Sequence, residues 1–204
     1  MRFVAAVFAL LVMFSALPAA ADEGDQAVVQ NIQNYLNGIG TLKSRFVQTA
    51  NDGTQQKGDF LLKRPGRMRF QYDAPVTDFI VADGMMIYYY DGQMKQQSSA
   101  PISKSLADFF LRKNLNLAGD IRVSDIKRAK GFVNLTLVQV KDPLSGSLTL
   151  IMQENPMALS AWRIVDAQGL VTTVTLSDIA TGVPLDNKYF HYYDPAHQES
   201  NYNR

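Results

Sequence analysis

Hydrophobic residues recur with a helical period near the N-terminus and with a strand period through most of the remaining chain. Between Ala27 and Ile39, counting from Val28, apolar residues fall at offsets of 1, 4, 7, 8 and 11. These offsets match one face of an α-helix. Gly38 and Gly40 favour its termination. The pattern therefore predicts one amphipathic helix at the start of the folded region.

After Gly40 the apolar residues alternate with polar ones, which is typical of β-strands with one buried face. Turn residues separate the alternating runs, among them Pro65-Gly66 and the hairpin dipeptide Asp83-Gly84. The predicted strands are 58–63, 67–72, 79–82, 86–90, 121–128, 133–140, 147–153, 159–165, 170–179 and 188–193.

The stretch from Pro101 to Lys113 interrupts this alternation and predicts one or two short helices. Ser105 and Asp108 have the spacing of a capping box at the start of such a helix. About ten or eleven strands joined by short turns indicate a mainly β fold with α: a meandering antiparallel sheet large enough to curl. The two helical segments are then the covers for its concave face, and if they pack loosely the space beneath them is an apolar cavity.

The N-terminus has the features of a secretory signal peptide. Arg2 precedes an uncharged apolar run from Phe3 to Leu17, and small residues follow up to residue 21. A membrane anchor is the alternative, but the run is shorter than the roughly 20 residues that span a bilayer. We therefore expect a signal peptide over 1–21 and a single exported domain over 22–204.

The composition argues against several classes of function. The 204 residues include 20 Lys and Arg and 19 Asp and Glu, a formal net charge of +1. This balance argues against nucleic-acid binding, which usually needs a basic excess. The chain has no cysteine and only two histidines, His191 and His197. A strand-like context for the first and a polar tail for the second make both ordinary surface residues.

Catalytic and metal-binding patterns are absent from the sequence. No HExxH pair, paired cysteines or phosphate-binding glycine loop is present. Many carboxylates occupy turns, where they favour turn geometry. A carboxylate pair could still assemble in three dimensions. We nevertheless expect a protein that is not an enzyme and that uses no cofactor or metal.

The most informative stretch is the hairpin around Pro65. Gly58, Phe60, Arg64 and Pro65 form a G-x-F-x-x-x-R-P pattern. An aromatic strand follows, and the Asp83-Gly84 turn then precedes a second aromatic strand. This ordered set resembles the periplasmic outer-membrane lipoprotein carrier family (LolA-type). Further matches are residues 46–49, residues 182–190 and Pro195.

The resemblance implies an open antiparallel half-barrel of about 11 strands, with helices forming a lid over an apolar cavity. It also implies a periplasmic carrier, expected to be a monomer, that binds the acyl chains of triacylated lipoproteins. Cargo would come from an ATP-driven release complex in the inner membrane and pass to an outer-membrane receptor. That receptor shares the fold but is itself a lipoprotein, so the lack of a lipidation cysteine favours the soluble carrier.

Arg64 matches the family arginine that holds the lid through hydrogen bonds to lid backbone. A guanidinium suits this role because its donors can reach several carbonyls while it stays charged. The alternative is a solvated arginine at a strand end.

The residues expected to line the acyl-chain cavity are apolar. Met68 and Phe70 alternate with their neighbours and therefore point to one face of their strand. Met68 stands where the family more often has an aromatic residue. For all of these residues, ordinary core packing is the alternative interpretation. The predicted set is Ile32, Leu36, Met68, Phe70, Leu106, Phe109 and Phe110.

Two other functions remain open from the sequence. One is a related half-barrel that binds or senses lipids or lipoproteins without transferring them. The other is a periplasmic hydrolase acting on lipid or glycan, which would require a carboxylate pair or a serine deep in the cavity.

Overall fold

The computed structural model describes residues 23–195, so the predicted signal peptide and His197 lie outside the described residues. Two α-helices, α1 and α2, and eleven strands, β1 to β11, make up most of this part. Their bounds are α1 Glu23–Gly38, β1 Thr41–Thr49, β2 Gln55–Lys63, β3 Arg67–Tyr72, β4 Phe79–Asp83, β5 Met86–Asp91, β6 Gln96–Pro101, α2 Asp108–Leu111, β7 Ile121–Ala129, β8 Phe132–Gln139, β9 Gly146–Gln153, β10 Ala158–Asp166 and β11 Val171–Thr181.

All eleven strands form one sheet in the order β6-β5-β4-β3-β2-β1-β11-β10-β9-β8-β7. Each neighbouring pair is antiparallel. The sheet is thus two meanders joined where β1 pairs with β11. Strands β6 and β7 are its edges and do not pair with each other. The predicted open antiparallel sheet of about 11 strands is confirmed.

The alternating pattern places apolar side chains on one face of this sheet. On β3, Met68, Phe70 and Tyr72 are buried, and the intervening residues are partly exposed. The same alternation on β8 buries Val133, Leu135 and Leu137, so both meanders contribute to one continuous core.

Helix α1 lies across the end of the barrel where β1 and β10 begin. Its inner face buries Ile32 and Leu36 completely or nearly so. The Tyr35 hydroxyl accepts a hydrogen bond from the Leu159 amide at the start of β10 (3.2 Å). Its first turn is close to the end of β7, because the Gly24 carbonyl accepts from Arg128 (2.7 Å). The helix is therefore held by contacts at both of its ends.

Residues 102–120, which we call the crossing segment, connect edge strand β6 to edge strand β7. The segment contains a 3₁₀ turn at Ile102–Lys104, followed by α2. Phe109, Phe110 and Leu111 of α2 are buried in the main core. The crossing segment consequently covers the concave face of the sheet, as the sequence pattern predicted.

The predicted strand over 188–193 is wrong. Asn187–Phe190 forms a 3₁₀ turn whose cap, Asp186, accepts a hydrogen bond from the Lys188 amide (2.9 Å). The physical reason is topological: β11 lies in the interior of the sheet between β1 and β10, and the residues that follow it pair with neither edge strand, β6 or β7. These residues instead run over the outer face of the sheet, with Phe190 buried beneath them.

Three further local predictions need correction. Helix α2 begins at Asp108 with Ala107 as its cap, and the Ser105 hydroxyl donates to the Ile102 carbonyl (2.9 Å), so the predicted capping box is wrong. Strands Thr41–Thr49 and Gln96–Pro101 are present although the pattern did not predict them. The second of these is an exposed, polar edge strand, so it has no apolar face to produce alternation.

Candidate functional site: an apolar cavity beneath the crossing segment

A cavity of about 390 Å³ lies between the concave face of the sheet and the crossing segment. Strands β2 to β5 form one side, β10 and β11 form the other, and residues of the crossing segment close the top. Its lining is mostly apolar. The lining residues are Gln48, Phe60, Met68, Phe70, Ile80, Ile87, Ser105, Leu106, Ala107, Phe110, Trp162, Ile164, Asp166, Leu170, Thr172 and Val174.

Four aromatic side chains form a continuous wall of this cavity. Trp162 from β10 lies 5.4 Å from Phe60, 6.1 Å from Phe70 and 4.9 Å from Phe110, measured between ring centroids. The Phe60 and Phe70 rings are 4.6 Å apart. Because Phe110 belongs to the crossing segment and the other three to the sheet, any outward movement of the crossing segment separates this cluster.

Three of the four polar side chains of the lining, those of Gln48, Ser105 and Asp166, take part in local hydrogen bonds. Gln48 accepts from the Tyr72 hydroxyl (2.9 Å), and burial raises the pKa of that tyrosine to about 12. One Asp166 oxygen accepts from the Gln168 and Leu170 amides (2.9 Å each) and so closes the β10–β11 turn. What the cavity presents to a ligand is therefore mainly apolar surface.

The structure distributes the predicted cavity residues between the lining and the surrounding core. Met68, Phe70, Leu106 and Phe110 line the cavity. Ile32, Leu36 and Phe109 are buried in the same core but do not belong to the lining.

Phe109 instead contributes to a separate cleft of about 220 Å³ with polar and charged neighbours. Ile32 and Leu36 are directed to the end of the barrel that α1 closes, which is why they pack without reaching the open space. The sequence placed all seven residues on the inner side of the molecule, but it did not distinguish cavity from core.

Arg64, in the β2–β3 turn, contacts both covering elements. Its Nε atom donates to the Phe110 carbonyl (2.6 Å) and its Nη1 atom to the Leu36 carbonyl. Burial lowers the pKa of Arg64 to about 10, so the guanidinium remains charged at neutral pH. One cation thus joins the backbone of α1, the crossing segment and the sheet.

Main-chain hydrogen bonds reinforce this junction. The Arg64 amide donates to the Gly40 carbonyl (2.8 Å), and the Gly66 amide donates to the Leu111 carbonyl (2.8 Å). The β2–β3 turn therefore holds the ends of both helices through backbone as well as side-chain contacts.

Two amide side chains of α1 bind the backbone of the crossing segment. Asn37 donates to the Leu115 carbonyl (3.1 Å) and accepts from the Leu115 amide (2.8 Å). Gln33 accepts from the Leu117 amide (2.9 Å). Helix α1 and the crossing segment are therefore linked to each other and form one cover.

A cluster of charged side chains holds the far end of the crossing segment. Arg112 donates to both oxygens of Asp120 (2.6 and 2.8 Å) and to Asp108 one turn earlier (2.8 Å). Hydrogen bonding to Arg112 lowers the pKa of Asp120, and hydrogen bonding to Asp120 raises that of Arg112. This cluster, which we call the Arg112 clasp, fixes α2 to the start of β7.

Several lining residues escaped the sequence prediction. Trp162, the one tryptophan of the chain, and Ile80, Ile87 and Ile164 come from the middle of predicted strands. Strand alternation marks them as inward-facing, but it does not show which inward positions lie next to open space. The other prominent aromatics, Tyr88 and Tyr90, face outward and stack on Tyr192 and Phe79.

Within residues 23–195, no group of three or more His, Asp or Glu side chains is placed to hold a metal ion. In the same part of the chain, neither helix has the length and apolar character needed to cross a bilayer.

Solved structures with similar backbones share little sequence with this chain. An uncharacterized conserved protein from Thermus thermophilus gives a TM-score of 0.49 at 11% identity, covering 85% of this chain and 97% of that one. A LolA superfamily protein from Nitrosomonas europaea gives 0.43 at 13% identity, covering 80% and 97%.

Sequence comparison is more informative. The family model described as outer membrane lipoprotein carrier protein LolA matches residues 37–193. An outer-membrane lipoprotein carrier protein of Pseudomonas aeruginosa (strain UCBPP-PA14) is 28% identical over 207 residues, covering 96% of both chains. That of Legionella pneumophila (strain Paris) is 28% identical over 182 residues, covering 83% of this chain and 87% of the relative. The chain therefore belongs to the outer-membrane lipoprotein carrier protein (LolA) family.

Proposed function

We propose that this protein is a periplasmic carrier that binds the acyl chains of lipoproteins and delivers them to the outer membrane. The observation that carries the proposal is an apolar cavity whose cover is held by side-chain packing, hydrogen bonds and ion pairs and not by strand pairing. The names of the relatives, which are lipoprotein carriers, support the same function.

The energetics of acyl chains explain why such a carrier is needed. Each methylene group removed from water contributes about 0.8 kcal/mol. An acyl chain of about fifteen carbons therefore favours a buried site by on the order of 10 kcal/mol. A lipoprotein cannot cross an aqueous compartment with such chains exposed, and the aromatic wall around Trp162 offers them an apolar environment.

The size of the closed cavity implies that the cover moves. At roughly 30 Å³ for each water-sized group, 390 Å³ holds on the order of a dozen methylene groups. That is of the order of one acyl chain, whereas a triacylated lipoprotein carries three. We infer that α1 and the crossing segment swing away as a lid when cargo enters.

Arg64 is then the residue that sets the balance between the closed and open lid. Its contacts to the Leu36 and Phe110 carbonyls exist only while both covering elements lie over the sheet. The closed form competes with cargo, so a stronger closed form lowers the apparent affinity for acyl chains. A carrier needs such competition because it must release its cargo as well as bind it.

The remaining assignments follow from the proposed role. The cargo is a triacylated outer-membrane lipoprotein, received from an ATP-driven release complex in the inner membrane and passed to an outer-membrane lipoprotein receptor. The chain would reach the periplasm through the signal peptide proposed for residues 1–21 and act there as a monomer over 22–204. The proposal includes no cofactor, metal or nucleic acid.

A hydrolase receives no support from the polar groups of the cavity. The Ser105 hydroxyl donates to the Ile102 carbonyl, and Asp166 closes a turn. Asp166 is the one carboxylate among the lining residues, and no histidine lines the cavity. The related alternative is a half-barrel that binds lipid without transferring it. It differs from a carrier because it would keep its bound lipid instead of passing it to the outer membrane.

Native mass spectrometry of the protein recovered from the periplasm of its host tests the proposal. We expect a co-purifying triacylated lipoprotein that moves to membranes containing the outer-membrane receptor and stays bound in the presence of receptor-free membranes. Free fatty acid or phospholipid alone would favour the lipid-binding alternative, and a protein without any acylated ligand would contradict the carrier function.

A further inference from the structure

The outer face of β1, β2 and β3 concentrates positive charge. Six of its outward-facing positions hold Lys or Arg and one, Asp59, is acidic, although the whole chain has a formal net charge of only +1. Strand register places them side by side: Lys43 is opposite Leu61, and Leu61 is opposite Arg69. The six are Lys43, Arg45, Lys57, Lys63, Arg67 and Arg69.

The chain that follows β11, residues 182–194, crosses this face, and we call it the C-terminal strap. Its carbonyls accept from outward side chains of the sheet: Val183 from Thr41 (2.8 Å) and Leu185 from Lys63 (2.8 Å). A groove of about 640 Å³ remains between the strap and the sheet. The positive residues lining it are Lys43, Arg69 and Lys188.

Some positive side chains on this face form ion pairs with carboxylates, and others do not. Arg45 forms ion pairs with Asp59 (3.0 Å) and with Asp73. Arg69, by contrast, donates to two neutral oxygens, the side-chain amide of Gln71 (2.6 Å) and the carbonyl of Tyr189 (3.3 Å). The one carboxylate of the groove, that of Asp59, is engaged by Arg45, and Lys188 pairs with Asp186 of the strap (3.5 Å). Lys43 and Arg69 are therefore the positive groups of the groove that the described residues leave without an ion pair.

We propose that this groove binds an acidic, extended segment of a protein partner, with Lys43, Arg69 and Lys188 contacting its carboxylates. Lys43 and Arg69 are two strands apart, roughly 10 Å, which spans about three residues of an extended peptide. Arg69 is half-buried at the base of the groove, where a peptide side chain can reach it and a flat membrane surface cannot. Because the groove lies on the outer face, a partner could occupy it while the cavity on the inner face holds cargo.

Binding of a fluorescein-labelled decapeptide of alternating Glu and Gly to the mature protein tests this proposal by fluorescence anisotropy at low salt. We expect saturable binding that weakens as salt rises, because the contacts are between exposed charges. The double substitution Lys43→Glu, Lys188→Glu should raise the Kd by at least ~10-fold. Both side chains are exposed, so the fold should persist, which circular dichroism verifies.

The matched control is Arg122→Glu, Lys127→Glu, which changes the formal charge equally on exposed positions of edge strand β7. It should alter the Kd by less than ~2-fold. Absence of peptide binding by the native protein, or an equal effect of both double variants, would overturn the proposal. Binding to phosphatidylglycerol vesicles without binding to the peptide would also overturn it, in favour of a lipid surface.

Discussion

The Nε atom of Arg64 donates a hydrogen bond of 2.6 Å to the carbonyl oxygen of Phe110, which lies 46 residues further along the chain. The same guanidinium also donates to the Leu36 carbonyl, so it bonds to both covering elements at once. Phe110 in turn contacts Trp162 across the cavity (4.9 Å). In the proposed opening of the lid, the contacts of this one cation break and the surroundings of the single tryptophan change.

Replacing Arg64 by leucine should shift the lid toward the open form. Hydrogen bonds from a charged group contribute about 2 kcal/mol each, which corresponds to roughly a thirtyfold change in an equilibrium. We expect Arg64→Leu to bind lipoprotein at least as tightly as the native protein and to transfer it poorly, because closure no longer competes with cargo. Acrylamide quenching of Trp162 fluorescence should increase in the unloaded variant.

Arg163→Leu is the control for this experiment, since Arg163 is an exposed arginine on β10 next to the same tryptophan. It should leave both quenching and transfer unchanged. Normal transfer by Arg64→Leu would remove Arg64 from the release mechanism.

A charge placed in the cavity lining should weaken acyl binding. Ile87 is partly exposed and lines the cavity, so Ile87→Glu introduces a carboxylate there without disrupting the fully buried core. Desolvation of that charge opposes burial of an acyl chain. We expect the Kd for a tripalmitoylated lipopeptide, measured by titration of Trp162 fluorescence, to rise by at least ~10-fold.

Met85→Glu provides the comparison, because Met85 lies two residues away in the same hairpin and its side chain is 80% exposed. The affinity of the Met85→Glu variant for the lipopeptide should match that of the native protein. Equal weakening by both substitutions would mean that net charge, rather than the cavity, governs binding.

The Arg112 clasp should make the crossing segment sensitive to acid. Because Arg112 lowers the pKa of Asp120 in the folded protein, this contact contributes stability above the unfolded value of about 3.9. That contribution is lost as the pH falls below the unfolded-state pKa of Asp120 and through its lowered folded-state pKa. We expect residues 108–120 of Asp120→Asn to show, already at pH 7, the reduced protection from hydrogen exchange, relative to the intrinsic rate at the same pH, that the native protein shows only in acid.

Asp125→Asn is the matched control, since Asp125 pairs with Lys127 on the outside of β7 (2.8 Å) and away from α2. Its exchange over residues 108–120 should follow the native profile. If Asp120→Asn also does so at neutral pH, the clasp does not restrain the crossing segment.

Gly58 should be required for the packing of β2 against its neighbours. A Cβ atom at this position would lie 2.0 Å from the Gln71 carbonyl oxygen and 2.8 Å from an edge carbon of the Phe46 ring. Backbone must therefore shift to admit even alanine. We expect Gly58→Ala to lower the free energy of unfolding by about 3 kcal/mol, measured by urea denaturation. Gly38→Ala, at a site with no atom within 4 Å, should leave it unchanged or slightly higher.

Much of the fold followed from local pattern. Alternation around Pro65 and Asp83 predicted the hairpins of β2 to β5, and the helical spacing from Val28 to Ile39 predicted α1. These predictions succeeded because period and turn chemistry depend on residues close together in sequence. The predicted strand over 188–193 failed because its residues alternate like a strand, yet they leave from an interior strand and pair with neither edge of the sheet.

The sequence also predicted which residues face inward, but it did not predict which of them line the cavity. Alternation marks Met68, Phe70 and Trp162 as inward-facing, and all three line open space. Ile32 and Leu36 have an equally clear inward pattern but pack at the closed end of the barrel. The difference depends on how α1 and the crossing segment sit over the curved sheet, which is a property of distant chain segments.

The sequence by itself determined the class of fold and most of its strands, because these depend on periodicity and turn residues, and the family resemblance singled out Arg64 as the residue expected to hold the lid. Tertiary structure alone decided that Arg64 reaches Leu36 and Phe110, that the closed cavity is small, and that Arg69 lies beneath the C-terminal strap. Each of these is a contact between segments far apart in the chain, and residue order does not encode such distances directly.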